Sequence, residues 1–140
     1  MIKYQLDNIP QLIVDPDTYF PWIKQAIHEE NHQPGDLFYH FCSDEFLLKI
    51  NQEFLQHDYL TDIITFPLST QSEIVSGEIF ISIDRVRENA SALQTGFERE
   101  FARVLIHGVL HLTGYDDHTD EEKRVMRSKE DYYLSLLPQK

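Results

Sequence analysis

The sequence has little of what marks a secreted or membrane-anchored protein. Its one cysteine, Cys42, cannot form an internal disulfide bond. No stretch approaches the roughly 18 uninterrupted apolar residues that a membrane span requires, and no basic segment leads into an apolar run with a cleavage site. These absences predict a cytoplasmic protein without a membrane partner.

Basic residues are scarce as well. The chain has 12 Lys and Arg against 24 Asp and Glu, which gives a formal net charge of −12 at pH 7. Non-specific binding to nucleic acid comes chiefly from lysine and arginine that neutralise phosphates, so we expect no tight binding to arbitrary RNA. A local basic groove or a bound cation remains compatible with this balance.

The five glycines and six prolines stand singly rather than in linker-like clusters, so they indicate no domain boundary. The 140 residues do contain a hydrophobic fraction of 41%, with 12% aromatic residues, spread from end to end. That content allows a packed core without disulfides or a structural metal. We therefore predict a single domain over residues 1–140.

The periodicity of apolar residues predicts both strands and helices. Four segments have the composition or alternation of strands: MIKYQL, DLFYHFC, TDIITFPL and GEIFISI, the last two joined by the polar segment STQSEIVS. Five segments have apolar residues at helical spacing, at about 15–30, 44–55, 84–93, 97–112 and 119–137. The pattern predicts an α+β fold, a single compact domain in which a small mixed sheet of about four strands packs with about five helices.

Capping patterns indicate where three of these helices begin. Ser43 has the position of an N-cap for the second helix. Thr95 and Glu98 have the spacing of a capping box for the fourth helix, and Thr119 and Glu122 repeat that spacing for the last one. These patterns predict a helix after each capping residue, the fourth along the apolar run from Phe97 to Leu112.

The segment HGVLHLTGYDDH, which begins at His107, contains three of the seven histidines. His107 and His111 are four residues apart on a predicted helix, so their imidazoles leave one face and can reach one cation. Gly114 ends that helix in a left-handed conformation, which brings Asp117 or His118 back towards the pair. Three protein ligands leave one position open for water, as in catalytic rather than structural zinc sites.

A pair of histidines at this spacing is also common on half-buried helices without any metal. The polar sequel GYDDH, however, has little structural purpose after an apolar helix unless its donors bind an ion. The spacing also resembles the HExxH motif of zinc proteases, but Gly108 stands where that motif has its glutamate base. Peptide hydrolysis by that route is therefore disfavoured.

HGVLHLTGYDDH closely resembles HGxLHLxGYDH, the signature of the bacterial YbeY family of rRNA-maturation endoribonucleases. INQEFLQHDYLTDIITFPL at residues 50–68 is similar to the family segment LNxxYRxxDxPTDVLSFP, and SGEIFIS is similar to its LGDIxIS strand. The resemblance implies a compact α+β fold, one Zn²⁺ per chain held by three ligands, and single-strand-specific RNA cleavage. It also implies 16S rRNA 3′-end maturation and ribosome quality control, with ribosomal RNA, pre-ribosomal particles and ribosomal proteins as partners.

The chain departs from the family signature at the third ligand. The family has a histidine six positions after the second ligand, and this chain has Asp117 there, with His118 displaced by one. A carboxylate oxygen is an acceptable zinc donor. We predict His107, His111 and Asp117 as the metal-binding and catalytic residues, with His118 as the alternative third ligand.

A second departure is Leu55, which stands where the family segment has an arginine thought to act on the RNA phosphate. Either another cation replaces that arginine or the activity is diminished. His57, Arg85 and Arg103 are the candidates for replacement, although each could equally be an ordinary surface residue.

The same segment supplies candidates for the wall of the active-site cleft. They form a short polar cluster before an apolar strand: His57, Asp58, Thr61 and Asp62. Threonine and aspartate at such positions also form turns and caps, which is the simpler alternative.

The sequence thus predicts a zinc-dependent endoribonuclease. Two alternatives stay open. One is a metallohydrolase that acts on another class of substrate, such as an amide. The other is a non-catalytic ribosome-associated factor with a structural zinc, which Leu55 and the acidic composition make credible.

Overall fold

The computed structural model describes residues 1–57, 61–69 and 71–137, and within these ranges it contains four strands and five α-helices. The strands form one sheet in the order β1-β2-β4-β3, in which β1–β2 and β2–β4 are parallel and β3–β4 is antiparallel. The predicted α+β fold with a small mixed sheet is therefore confirmed. The elements are β1 (Ile2–Asp7), a 3-10 helix (Pro16–Tyr19), α1 (Phe20–Glu29), β2 (Gln33–Cys42), α2 (Asp44–Leu55), β3 (Ile63–Pro67), β4 (Ile74–Ser82), α3 (Ile83–Ala92), α4 (Phe97–Leu112) and α5 (Asp120–Ser135).

The main core lies between one face of the sheet and α4. Side chains alternate along a strand, and the buried set of β2 and β4 on this face includes Tyr39, Phe41, Ile79 and Ile81. Each such side chain contributes about 1.5–3 kcal/mol when it is removed from water. The Tyr39 hydroxyl also donates a 3.0 Å hydrogen bond to the Leu105 carbonyl of α4. Together these contacts hold α4 at a fixed position on the sheet.

The opposite face of the sheet is covered by α2. A smaller cluster of buried residues lies there and contains Cys42, Leu47, Ile64 and Phe80. The Ser43 hydroxyl accepts from the Phe46 amide at 3.1 Å, which confirms the predicted N-cap of α2. This packing places the end of α2 on the far side of the sheet from α4.

The first predicted helix, 15–30, consists of two parts. Asp15 caps a 3-10 turn at Pro16–Tyr19, and α1 begins only at Phe20. Pro21 lies in the first turn of α1, where its missing N–H costs no helical hydrogen bond. The helical prediction holds for this segment, but its first turn is tighter than an α-helix.

Of the two predicted capping boxes, the one at Thr119 and Glu122 is confirmed, and the one at Thr95 and Glu98 is wrong. Gly96 is the N-cap of α4, so Thr95 lies one residue too early to cap it. The Thr95 amide donates to Ala90 at the end of α3, because the α3–α4 connection is short. Among the described residues, the buried Thr95 hydroxyl has no hydrogen-bond partner.

Strand β4 begins earlier than the sequence predicts. The segment STQSEIVS was expected to be a connection, but its last three residues belong to the strand. Ile74 and Val75 pair in parallel with Gln33 and Pro34 of β2, which extends both strands.

No helix in the described ranges has the length and apolar character to cross a bilayer.

Candidate metal centre and its cavity

Helix α4 carries the two histidines on the one polar side of an otherwise buried helix. Every residue from Phe101 to Leu110 is buried except Arg103 and His107, which are one turn apart. His111 follows one further turn along and is half-buried. Arg103, His107 and His111 thus share one helix face, as the spacing of four residues predicts. The imidazoles therefore face the gap between α4 and the chain that follows Gly114.

The end of α4 brings a third donor to the pair. Gly114 has a φ of +113°, as expected for a glycine that reverses the chain after a helix. Donor atoms of His107, His111 and Asp117 lie within 4.8 Å of one another, the one such group of His, Cys, Asp and Glu in the described residues. The structure thus brings together the three residues predicted as ligands.

The three donor atoms form a nearly equilateral triangle. The Nε2 atoms of His107 and His111 are 3.0 Å apart, and Asp117 Oδ2 lies 3.4 Å from the first and 3.5 Å from the second. Zinc with bonds of about 2.0–2.1 Å and tetrahedral angles places its ligand atoms about 3.3 Å apart. The triangle therefore has the size that a tetrahedral zinc ion requires.

Hydrogen bonds on the far side of each ring select the tautomer that leaves Nε2 free for a metal. His107 Nδ1 donates to Glu130 Oε2 at 2.6 Å, and His111 Nδ1 donates to the Tyr115 carbonyl at 2.9 Å. With Nδ1 engaged as a donor, each ring would offer the lone pair of Nε2 to a bound metal ion. These two lone pairs and the Asp117 carboxylate oxygen point towards the same space. They repel one another unless a cation lies between them, so the donor set fits a bound metal ion.

Glu130 of α5 anchors His107 from behind. It is buried, and its second oxygen accepts from Arg103 Nη1 at 2.9 Å. Arg103 also contacts Asp131 at 3.3 Å and Glu100 at 3.6 Å. A histidine ligand held by a carboxylate in this way is oriented and made more basic. The hydrogen-bonded chain from Arg103 through Glu130 to His107 therefore fixes one of the three candidate ligands.

A second hydrogen-bond network holds the loop after α4, which carries the Tyr115 carbonyl that accepts from His111. The Tyr115 hydroxyl donates to Glu30 Oε1 at 2.7 Å, and Lys129 Nζ lies 3.2 Å from Glu30 Oε2. The Tyr133 hydroxyl also donates to Glu30. These bonds tie the loop after α4 to α1 and α5, so the Tyr115 carbonyl that orients His111 has a fixed position.

The electrostatic environment of His107 favours positive charge. Burial lowers the pKa of His107, but the hydrogen bond and the charge of Glu130 raise it, as do the charges of Asp62 and Asp117, and the net pKa is raised. Carboxylates that favour a proton on the ring also favour a metal cation beside it. The surroundings of the triangle are therefore suited to a divalent ion.

Gly108 explains why the HExxH glutamate is missing. Its Cα faces the sheet, and a Cβ built there would lie 3.0 Å from Ile63 Cδ1 and 3.0 Å from Ile79 Cγ2. Such contacts are tighter than ordinary packing allows, and a full glutamate side chain would also be buried without a partner. In this fold the position after the first histidine belongs to the helix–sheet interface rather than to the site.

Among the other predicted site residues that the structure describes, Asp62 lies at the cavity, whereas His57, Thr61 and His118 do not. Asp62 lines the same cavity as His107 and Asp117, whereas His118 is exposed and its backbone amide donates to Glu122. Thr61 bonds to the Ile63 carbonyl at 3.4 Å, which is turn geometry, and His57 is exposed. Neither Thr61 nor His57 is among the described residues that line the cavity. The predicted Asp58 lies outside the described residues.

The cavity beside the triangle has a volume of about 430 Å³ and lies among α3, α4 and α5. Its charged lining includes residues that sequence reasoning missed. Glu100 and Glu130 are buried carboxylates on otherwise apolar helix faces, and that mismatch is the sequence signal that would have found them. The charged residues of the lining are Asp62, Glu100, Arg103, Asp117, Lys123, Arg127 and Glu130.

Comparisons with known proteins agree on one family. The family model described as Endoribonuclease YbeY matches residues 6–138. A curated protein named Endoribonuclease YbeY from Flavobacterium psychrophilum is 49% identical over 125 residues, 89% of each chain. One of the same name from Cytophaga hutchinsonii is 51% identical over 115 residues, 82% of this chain and 80% of that one. A solution structure of a Thermotoga maritima protein has a TM-score of 0.68 at 28% identity, and covers 98% of this chain and 89% of its own.

Proposed function

Since the chain belongs to the YbeY endoribonuclease family, we propose that it is a zinc-dependent enzyme that cleaves single-stranded RNA at the site on α4. His107, His111 and Asp117 are the proposed metal ligands and catalytic residues. The observation that carries this proposal is the triangle of two Nε2 lone pairs and a carboxylate oxygen, with sides of 3.0, 3.4 and 3.5 Å. Three ligands from the protein leave a position open for the reacting groups.

The donor set favours zinc over harder cations. Two imidazole nitrogens and one carboxylate suit a borderline ion, whereas magnesium and calcium prefer sites made of oxygen. When bound, zinc acts as a Lewis acid that lowers the pKa of water and neutralises charge on a phosphoryl oxygen. The protein positions the donors: Glu130 and the Tyr115 carbonyl hold the two rings, and Asp117 leaves a single net positive charge at the centre.

The remaining carboxyl groups of the cavity supply the proton chemistry. Asp62 and Glu100 line the cavity and neither anchors a histidine. Burial raises the pKa of Glu100, with a further upward contribution from Asp62 that the charges of Arg103 and Arg127 do not cancel. A carboxyl group with a raised pKa is suited to donating a proton to a leaving oxygen. Among these carboxyl groups, Glu100 is therefore the candidate proton donor.

The proposed cellular setting follows from the family. We place the enzyme in the cytoplasm, where it matures the 3′ end of 16S rRNA and acts in ribosome quality control. The net charge of −12 works against tight binding to free RNA. Specificity therefore comes from pre-ribosomal particles and ribosomal proteins as partners.

Cleavage of RNA by the purified protein tests the proposal. We expect a single-stranded RNA to be cut and the same sequence in a duplex to be spared, with activity lost in a chelator and restored by zinc. Elemental analysis should give about one zinc per chain, as the one such triangle in the described residues implies. A peptide library should remain intact. Zinc that can be removed only by unfolding the protein, together with intact RNA throughout, would instead indicate a structural metal.

Separate alanine variants of Asp117 and His118 test the third ligand. We expect Asp117→Ala to lower zinc affinity by at least about 100-fold, because loss of a ligand exceeds the 10–100-fold effect of losing a residue behind one. His118→Ala is the matched control, since this exposed side chain lies next in sequence yet outside the triangle. Competition with a chromophoric chelator measures both. The reverse order of affinities would transfer the ligand role to His118.

A further inference from the structure

The position at which the family segment has an arginine supplies no cation to this cavity. Leu55 ends α2, on the sheet face opposite α4, and it is not among the described residues that line the cavity. Its side chain is apolar and 39% exposed. A phosphodiester carries a negative charge at every nucleotide, so a site that holds it beside a metal needs positive side chains of its own.

The two arginines considered at the level of sequence are both engaged elsewhere. Arg85 Nε lies 3.0 and 3.1 Å from the two carboxylate oxygens of Asp44, at the start of α2. Arg103 lines the cavity but makes ion pairs with Glu130, Asp131 and Glu100. If Arg103 moved to bind RNA, the buried carboxylates would lose their partner. An unpaired buried charge strongly lowers the stability of the fold. Neither arginine is available to a substrate.

Two other basic side chains line the cavity without a carboxylate partner in the described part of the chain. Lys123 and Arg127 both line it, together with His107 and Asp117, and both side chains are exposed. They are four residues apart on α5 and so share one helix face. Within ranges 1–57, 61–69 and 71–137, neither has a carboxylate within 4.0 Å. Other basic residues of α5 are paired: Arg124 with Glu121, and Lys129 with Glu30.

We infer that Lys123 and Arg127 form a phosphate-binding ridge on α5 that holds the backbone of single-stranded RNA beside the metal site. The inference rests on the proposed function. With Arg103, these residues bring three of the chain's 12 basic residues to one cavity. With Glu100 counted as ionised, four carboxylates against three cations give the charged lining a net charge of −1, which a divalent ion would turn to +1. The cavity is thus a local exception to the acidic surface.

Salt-dependent binding of a non-cleavable 2′-O-methyl single-stranded oligonucleotide to the zinc-loaded full-length protein tests this inference. In the double variant Lys123→Gln with Arg127→Gln, we expect weaker binding to every sequence tried. The slope of log affinity against log salt should become shallower by about 1.4, since each phosphate neutralised on a single strand contributes about 0.7. Zinc content and the circular dichroism spectrum should be unchanged, because both side chains are exposed and neither is a ligand.

Two further variants make the result specific. Arg124→Gln removes the same charge from an adjacent residue of α5 that does not line the cavity, and it should leave the slope unchanged. The charge-preserving exchange of Lys123→Arg with Arg127→Lys should retain most of the affinity. If the double glutamine variant keeps the wild-type slope, the ridge is wrong and the proposed function stands. If the zinc-loaded wild type neither binds nor cuts RNA, the proposed function fails and the ridge with it.

Discussion

Replacing His107 and His111 together by alanine is expected to abolish zinc binding and RNA cleavage while the protein stays folded. Both Nε2 atoms point into the triangle, so the double variant retains only Asp117 as a donor. Loss of the metal removes several kcal/mol of charge stabilisation from the transition state. At about 1.4 kcal/mol per factor of ten, that corresponds to a fall in kcat/KM of about 10³-fold or more.

The fold should survive because the main core is independent of the site. Both histidines are only half-buried, whereas the neighbouring residues of α4 are packed against the sheet. Elemental analysis and circular dichroism measure metal content and folding on the same sample. His28→Ala is the matched control, an exposed histidine of α1 whose loss should change neither. Full zinc occupancy in the double variant would contradict the ligand assignment.

Replacing Glu130 by alanine is expected to have the largest effect on stability of any change near the site. Glu130 is buried and accepts hydrogen bonds from both His107 and Arg103. Its removal leaves two half-buried donors without their buried partner, and breaking a buried ion pair costs about 3–5 kcal/mol in the free energy of unfolding. Chemical denaturation measures that loss. Zinc affinity should also fall by about 10–100-fold, because the ring of His107 is no longer held.

Two variants separate stability from metal binding at this position. Glu130→Gln keeps the volume but faces two donors with only one acceptor oxygen, so zinc affinity should fall while less of the stability is lost. Asp131→Asn is the matched control. Asp131 also contacts Arg103, but its side chain is 54% exposed, and an exposed pair contributes about 1 kcal/mol or less. Equal stability losses in Glu130→Ala and Asp131→Asn would contradict the anchoring role.

Errors in the sequence-based description arose where neighbouring elements compete for the same residue. Thr95 and Glu98 have capping-box spacing, but Thr95 is held by the end of α3, so Gly96 begins α4. Ile74 and Val75 follow polar residues and join β4 because β2 offers them partners. In both cases a tertiary contact decided a boundary that local preference left open.

Arg85 and Arg103, two candidates for the replacement cation, are both neutralised by carboxylates distant in sequence. A side chain's charge can be read from the sequence, but whether another residue neutralises it cannot. Asp44 pairs with Arg85 across 41 residues, and Glu130 pairs with Arg103 across 27. Lys123 and Arg127 became candidates only when the packing of α5 against α4 placed them at the cavity.

The sequence by itself determined the four strands, the five helices and the spacing of the two histidines, because these depend on interactions between residues a few positions apart. It also predicted the turn at Gly114 that returns Asp117 to the helix end, since backbone conformation there is a local property. The tertiary structure alone decided that Glu130 anchors His107 and that Gly108 is excluded from the site. Those outcomes require residues distant in sequence to meet, and the packing of the whole core sets such contacts.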